Sequence, residues 1–144
     1  MRLSLHTDYA LRTLMHLATE RKRCSIQEIA SFYGISRDHL AKVVRRLSQE
    51  GYLRTVRGVG GGIELAQKPE IINLGEVLDR LEGPMHLLDC VSVEGICRIQ
   101  PSCKLKDIFA EAERLQREYL GNHFLIDLIP PDEKLVELKT KVTD

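Results

Sequence analysis

Hydrophobic residues near the start of the chain recur at the spacing of an amphipathic α-helix. Residues on the predicted buried face of this first helix are Leu5, Tyr9, Leu11, Leu14, Met15 and Ala18. A second helix is predicted from Ser25, because Ser25 and Glu28 have the capping-box spacing, in which each side chain accepts a hydrogen bond from the other residue's backbone amide. It should end at Gly34. The residues expected to pack from it are Ile26, Ile29, Ala30 and Phe32.

A third helix is predicted after Ser36, running to about Glu50 and ended by Gly51. Its expected buried stripe is Leu40, Val43, Val44 and Leu47. A short helix, a glycine-containing turn and a longer helix with a basic face are typical of a helix-turn-helix, which presents its second helix to the DNA major groove. Similar helix pairs occur in proteins that never touch DNA. If this one binds DNA, the expected contact residues are Ser36, Arg37, Asp38, His39, Lys42 and Arg45.

A β-hairpin is predicted next, because residues 52–57 and 63–66 alternate in strand fashion around Gly58-Val59-Gly60-Gly61-Gly62. Following a helix-turn-helix, such a hairpin is a wing. Gly60 and Gly61 would let its backbone approach a groove wall closely, and Arg57 is the side chain expected in the minor groove. A glycine triplet alone is weak evidence, since it also suits an ordinary hairpin turn.

Two more helices are predicted in the second half of the chain. One is capped by Asn73, with Glu76 at its third position, and ends at Gly83. The other runs from Lys104 to Gly121. Its apolar stripe consists of Leu105, Ile108, Phe109, Ala112, Leu115 and Tyr119. Little chain remains to cover this stripe, so we expect it to dimerise, although an ordinary core helix is the alternative.

These elements predict a mainly α fold, a winged helix-turn-helix with a long C-terminal dimerisation helix. The expected divisions are residues 1–82 for DNA binding, 83–103 for a cysteine-containing loop, and 104–144 for the dimerisation helix and a short polar tail. At 144 residues the chain suits one compact domain. No stretch approaches about 18 apolar residues and no signal peptide is evident, so a cytoplasmic protein without membrane association is expected.

Charge is unevenly distributed, although the formal net charge is zero. Residues 1–68 hold 12 Lys and Arg against 6 Asp and Glu, whereas residues 69–144 hold 9 against 15. A basic half next to an acidic half suggests one surface for phosphates and another for sensing or assembly. Uneven solvated charge without functional meaning is the alternative.

Three of the four cysteines, Cys90, Cys97 and Cys103, fall within 14 residues. In a reducing compartment, clustered thiols favour a metal site over disulfides. Structural zinc and iron–sulfur clusters both take four donors, so a fourth must come from elsewhere. Cys24 lies apart and is interpreted as a bystander thiol. We find no catalytic triad, phosphate loop or paired carboxylates, so an enzyme is not expected.

The layout resembles the small winged-helix bacterial repressors that include the iron–sulfur regulator IscR and the nitric-oxide-sensitive repressor NsrR, with the NsrR branch nearer. The matching segments are residues 8–12, 33–36 and 56–62, and Cys90, Cys97 and Cys103 with Pro101 and Leu105. The resemblance implies a homodimer that binds double-stranded operator DNA. It also implies an iron–sulfur cluster on the three cysteines, 4Fe–4S favoured over 2Fe–2S, and release of DNA when nitric oxide attacks that cluster.

The fourth ligand decides which branch fits. IscR-type proteins place a histidine three residues after the last cysteine, where this chain has Lys106. NsrR-type proteins have an acidic residue near the N-terminus, and Asp8 matches it, with the other subunit's cluster as its expected target. The alternatives are that Asp8 merely suits the helix dipole and that His86 is the ligand. Another type of relative has a histidine ligand four residues after the acidic ligand. This chain has Arg12 at that position, which argues against that cluster type.

Other functions stay open at this point. Within the same family, the signal could be iron–sulfur status or redox state rather than nitric oxide. Outside it, the chain could be an iron–sulfur electron carrier, which would need a docking surface in place of the wing. It could also be a zinc-stapled interaction protein, which a colourless preparation with one zinc per chain would favour.

Overall fold

The computed structural model describes residues 2–131, so the predicted polar tail lies outside the described residues. Its helices are α1 (Leu5–Glu20), α2 (Ile26–Tyr33), α3 (Arg37–Gln49), α4 (Leu74–Glu82), α5 (Asp89–Ser92) and α6 (Lys104–Gly121). Two strands, β1 (Leu53–Val56) and β2 (Gly62–Leu65), form an antiparallel sheet. Short 3-10 helices cover Gln100–Ser102 and Leu125–Leu128. The prediction of a mainly α fold with one hairpin is confirmed.

The chain forms two compact units. The helix-turn-helix unit comprises residues 4–72 and 124–131, and the cysteine unit comprises residues 2–3 and 73–123. Helix α4 belongs to the cysteine unit, and the predicted divisions after residues 82 and 103 remain predictions. Among the described residues, no helix is both long and apolar enough to cross a bilayer.

Local capping explains where the first three helices begin. Ser4 Oγ accepts a hydrogen bond from the Thr7 amide at 3.2 Å, and Ser36 Oγ accepts one from the His39 amide at 3.2 Å. The predicted capping box of α2 is present, with Glu28 N donating to Ser25 Oγ at 3.1 Å and Ser25 N donating to Glu28 Oε2 at 2.6 Å. The bonds from the Ser25 backbone and side chain lower the pKa of Glu28.

The core of the helix-turn-helix unit lies between α1, α2, α3 and the hairpin. The predicted stripe of α3 is buried throughout: Leu40, Val43, Val44 and Leu47. Helix α1 contributes Thr7, Ala10, Thr13, Leu14, Leu17 and Ala18. Ile63 and Leu125 are almost fully buried as well. Apolar burial of this kind contributes roughly 25 cal/mol per Å² and holds α3 in a fixed position.

Two of the packing residues predicted on α1 and α2 are exposed, and four more are only half-buried: Tyr9, Leu11, Met15 and Ile26. Leu5 is 53% exposed, because the buried face of α1 is centred on residues 10, 14 and 17, and Leu5 lies at the helix start outside it. Phe32 is 41% exposed. Its ring instead makes edge-to-face contacts with His16 and Tyr33, with centroids 4.9 and 4.8 Å apart. The sequence pattern could not separate a core position from this surface aromatic cluster.

In the cysteine unit, α4 packs closely on α6. The predicted cap Asn73 accepts a hydrogen bond from the Glu76 amide at 3.2 Å and donates from Nδ2 to the Gly121 carbonyl at 2.6 Å. A Cβ atom at Gly75 would lie only 3.0 Å from the Gly121 backbone, so glycine permits this approach. The opposite stripe of α6 is uncovered, with Leu105, Ile108, Leu115 and Tyr119 at least half exposed.

Candidate functional site

Helix α3 presents the basic face predicted for DNA contact. Its start is capped by Ser36, and Ser36, Arg37, Asp38, His39, Lys42 and Arg45 are all exposed. Within residues 2–131, Arg37, Lys42 and Arg45 form no ion pair with a carboxylate. Their charge is therefore available for phosphates, whereas Arg46 is paired with Glu50 at 2.8 Å.

Strands β1 and β2 pair along their full length and form the predicted wing. Leu53 faces Leu65, Arg54 faces Glu64, and Thr55 faces Ile63. Arg57 is exposed directly after β1, and the turn is closed by Gly61 N donating to the Gly58 carbonyl at 3.0 Å. Gly60 has a φ of 71°, a left-handed conformation that only glycine adopts readily. The wing tip is therefore a hydrogen-bonded turn and not an irregular run of glycines.

Arg23 anchors this wing, and the sequence pattern did not indicate it. Its Nη1 donates to the Gly60 carbonyl at 3.0 Å, and its Nε donates to Glu64 Oε2 at 3.1 Å. Arg54 binds the other oxygen of Glu64, and both arginines lower the pKa of that carboxyl, with the Arg23 hydrogen bond as the largest cause. Next to Arg23, Cys24 is buried and forms a β-bridge with Ile63. The turn between α1 and α2 therefore braces the hairpin.

The cysteine loop, residues 89–103, carries the three clustered thiols. Cys90 and Cys103 are half-buried, Cys97 is exposed, and the four cysteines, all among the described residues, form no disulfide. In the described part of the chain, no three His, Cys, Asp or Glu side chains converge tightly enough to hold one metal ion. In a 4Fe–4S cluster each thiolate binds a different iron, so the three sulfur atoms need not converge on one metal position. Three uncrosslinked, accessible thiols on one short loop fit that donor requirement.

Glu113 of α6 holds the segment that leads into this loop, residues 86 and 87, through hydrogen bonds. Its carboxylate is buried and accepts hydrogen bonds from the Leu87 amide at 2.7 Å and from His86 Nδ1 at 3.1 Å. Burial alone would raise the pKa of Glu113, but these hydrogen bonds outweigh it and lower the pKa below its usual value. His86, the alternative fourth ligand, thus has one ring nitrogen engaged by Glu113.

Asp8 lies in the first turn of α1, in the helix-turn-helix unit. Its Oδ2 accepts a hydrogen bond from Arg12 Nε at 3.0 Å, and both side chains are more than 40% exposed. The Arg12 guanidinium also lies 5.8 Å from the centroid of the Tyr33 ring. An exposed pair of this kind is worth at most about 1 kcal/mol, so it does not prevent Asp8 from taking another partner.

Comparison with known proteins identifies the family. Residues 3–131 match the model of the Rrf2 family, described as "Iron-dependent Transcriptional regulator". The chain belongs to the Rrf2 family of transcriptional regulators. It is 41% identical to the HTH-type transcriptional regulator NsrR of Bacillus subtilis over 141 residues, which is 96% of this chain and 97% of that protein. Members are regulators, so the expectation that the chain is not an enzyme is confirmed.

Solved Rrf2-type structures share the fold. CymR, the global cysteine regulator of B. subtilis, superposes with a TM-score of 0.75 at 24% identity, covering 89% of this chain and 95% of that one. IscR of T. potens gives a TM-score of 0.70 at 23% identity, covering 89% and 85%. The predicted winged helix-turn-helix fold is therefore confirmed, and the predicted family is confirmed by the match to the Rrf2 model and by the 41% identical relative.

The structure brings the predicted DNA residues together on α3 and the wing of one unit, and it places the three cysteines on one loop of the other. It adds two residues that the sequence pattern did not single out: Arg23, which holds the wing turn, and Glu113, which holds the chain just before the cysteine loop. Both act through contacts between segments distant in sequence: Arg23 and Gly60 are 37 residues apart, and Leu87 and Glu113 are 26 residues apart. The charge excess around Arg21-Lys22-Arg23 was the only sequence signal that could have pointed to Arg23.

Proposed function

We propose that this Rrf2 chain is a homodimeric repressor that binds operator DNA, carries an iron–sulfur cluster and releases DNA in response to nitric oxide. The observation that carries the proposal is that one chain, 41% identical to NsrR, has both a loop with three uncrosslinked cysteines and an exposed basic face on α3. Within residues 2–131, Arg37, Lys42 and Arg45 of that face form no ion pair. Neither feature alone distinguishes a sensor from a simple DNA-binding protein.

DNA binding is assigned to α3 and the wing. Helix α3 enters the major groove with Ser36, Arg37 and His39 at its N-terminal end, where capped helices contact backbone and base edges. Lys42 and Arg45 neutralise phosphates, and Arg57 enters the minor groove beside the glycine turn. The brace from Arg23 to Gly60 keeps that turn in place during docking.

The cluster is assigned to Cys90, Cys97 and Cys103, with Asp8 of the partner subunit as fourth ligand and 4Fe–4S as the favoured type. Lys106 stands where a histidine ligand would otherwise be, and its ammonium group has no lone pair to donate. When bound, the cluster supplies iron that reacts with nitric oxide. Asp8 offers a hard oxygen donor in place of a fourth soft thiolate, so the iron at that position is less firmly held.

Dimerisation is assigned to α6. Leu115 and Tyr119 are 51% and 67% exposed, and Leu105 and Ile108 are 54% and 65% exposed at the other end of the same helix. A contiguous apolar stripe on one helix is typical of a subunit interface. A ligand contributed by α1 of the second subunit would link the state of the cluster to the spacing of the two α3 helices, which is a two-state switch.

The test is the metal content of anaerobically purified variants. Alanine at Cys90, Cys97 or Cys103 should abolish binding of iron and sulfide, whereas the matched control Cys24→Ala should keep it, because Cys24 is buried against β2. Native mass should give a dimer. A colourless protein with one zinc per chain and no sulfide would refute the sensor proposal and favour a zinc-stapled interaction protein. Cluster loss in Cys24→Ala alone would refute the ligand assignment.

A further inference from the structure

Gln100 is the one buried residue of the cysteine loop, at 7% exposure. Three of the four hydrogen-bonding positions of its carboxamide are used. Oε1 accepts from the Gly95 amide at 2.7 Å, and Nε2 donates to the carbonyls of Cys90 at 2.8 Å and Val93 at 2.6 Å. A primary amide has two N–H donors, so both donors of this side chain are satisfied within the loop.

The backbone of Gln100 reaches the other two cysteines. Its N–H donates to the Cys97 carbonyl at 3.2 Å, and its carbonyl accepts from the Cys103 amide at 3.4 Å. One residue therefore bonds to the main chain of all three clustered cysteines, one through its side chain and two through its backbone.

Helix α5 packs on α6, but hydrophobic packing supplies little order in the rest of the loop. Val93, Ile96 and Ile99 are 48%, 52% and 64% exposed, so the apolar residues of the loop do not form a core. The short helix α5 and the 3-10 helix Gln100–Ser102 each span few residues, and helices of this length are marginal alone. The hydrogen bonds of Gln100 are what connects these two turns.

We propose that Gln100 is the positioning residue of the cysteine loop: it holds Cys90, Cys97 and Cys103 in a preformed arrangement before any cluster is bound. The inference rests on the proposed function, in which these cysteines carry the iron–sulfur cluster. In a preformed loop the cysteines lose less conformational entropy when the cluster binds. The cluster should therefore bind more tightly and dissociate more slowly, as expected for a preorganised metal site.

The test compares isosteric variants. Gln100→Glu keeps the acceptor for Gly95 but turns the donor toward Cys90 and Val93 into an acceptor. Gln100→Met keeps the length of the side chain and removes all three side-chain bonds without adding charge. Gln67→Glu is the matched control, because Gln67 also donates its amide to a backbone carbonyl, that of Gly51 at 2.9 Å, in the other unit.

The first readout is hydrogen exchange of the cluster-free protein. Amides in residues 90–103 should exchange roughly tenfold faster in both Gln100 variants, because a lost buried hydrogen bond changes local opening by about that factor. Exchange over residues 5–65 in the same digest should stay at the wild-type rate. The second readout is the rate at which a ferrous chelator takes iron from the loaded protein, which should also rise roughly tenfold. Gln67→Glu should change neither.

Unchanged exchange over residues 90–103 in both Gln100 variants would overturn the positioning role, even if the wild type carries a cluster. If the wild type binds no iron or sulfide, the proposed function fails, and the exchange data on the cluster-free loop still decide the role of Gln100. If Gln100→Glu unfolds residues 5–65 as well, the uncharged Gln100→Met variant decides by the same two measurements.

Discussion

Alanine at Gly61 should disrupt the wing more than alanine at Gly60, although the two glycines are neighbours. At Gly61 an added Cβ would collide with the Val56 carbonyl oxygen and lie 2.7 Å from the Gly58 carbonyl oxygen. Both obstacles are backbone atoms, so no side chain can rotate away. At Gly60 the Cβ would meet nothing within 4 Å, and only the left-handed φ of 71° opposes alanine.

The magnitudes follow from these two situations. A left-handed alanine costs about 1–2 kcal/mol, which is the expected effect of Gly60→Ala on wing stability. Gly61→Ala must force the turn apart and weaken the bond from Gly61 N to Gly58 O, which adds about 1 kcal/mol to an overpacking cost of about 1–3 kcal/mol. The total of about 2–4 kcal/mol should open the hairpin locally.

Hydrogen exchange of the β1 and β2 amides measures wing stability, and fluorescence anisotropy with operator DNA measures its consequence. Val59→Ala is the control, since Val59 is fully exposed at the tip and its truncation should leave hairpin protection at the wild-type level. If Gly61→Ala retained wild-type protection, or lost less than Gly60→Ala, the close turn at Gly58–Gly61 would be wrong.

Further measurements concern DNA affinity, acid stability and the fourth cluster ligand. Arg57→Ala should weaken operator binding by about 1–3 kcal/mol without altering the cluster spectrum, and Lys42→Ala should lower the slope of affinity against salt by about one; unchanged affinity in both would refute the docking model. Glu113 has a lowered pKa, so its stabilising effect should be present above the ordinary carboxyl pKa of 4.5 and be lost as pH falls through the lowered value. The unfolding temperature should therefore fall at acid pH in the wild type but not in Glu113→Gln. Equal pH profiles in the two proteins would exclude a stabilising effect of ionised Glu113. Asp8→Cys, which supplies a softer fourth donor, should need more nitric oxide per cluster before leaving DNA; a wild-type titration curve would reject Asp8 as the ligand.

Local signals explain which parts of the fold could be predicted from the sequence. The caps at Ser25, Ser36 and Asn73 and the stripe from Leu40 to Leu47 depend on residues three or four positions apart, and each prediction is confirmed. Burial of the α1 and α2 faces was less accurate, because Phe32 joins a surface aromatic cluster whose partner His16 lies on another helix. Periodicity within one helix carries no information about such neighbours.

In the candidate site too, some residues could be predicted from local patterns and others could not. Three cysteines on one segment and a basic α3 face were visible as residue types at given spacings. The buried roles of Gln100 and Glu113 were not, because a glutamine between two cysteines and a glutamate in a charged helix are ordinary surface residues by type. Their roles come from the path of the loop, which brings Gly95 and Cys90 to Gln100 and Leu87 to Glu113.

Titration of nitric oxide into the anaerobic, cluster-loaded protein on its operator tests whether the cluster controls DNA binding. The operator can be selected by the loaded protein from a random pool of double-stranded DNA. Anisotropy and the visible absorbance of the cluster are then followed in the same cuvette. Loss of the cluster absorbance and release of DNA should occur together. Protein that stays on its operator after the cluster has fully reacted with nitric oxide would contradict this expectation.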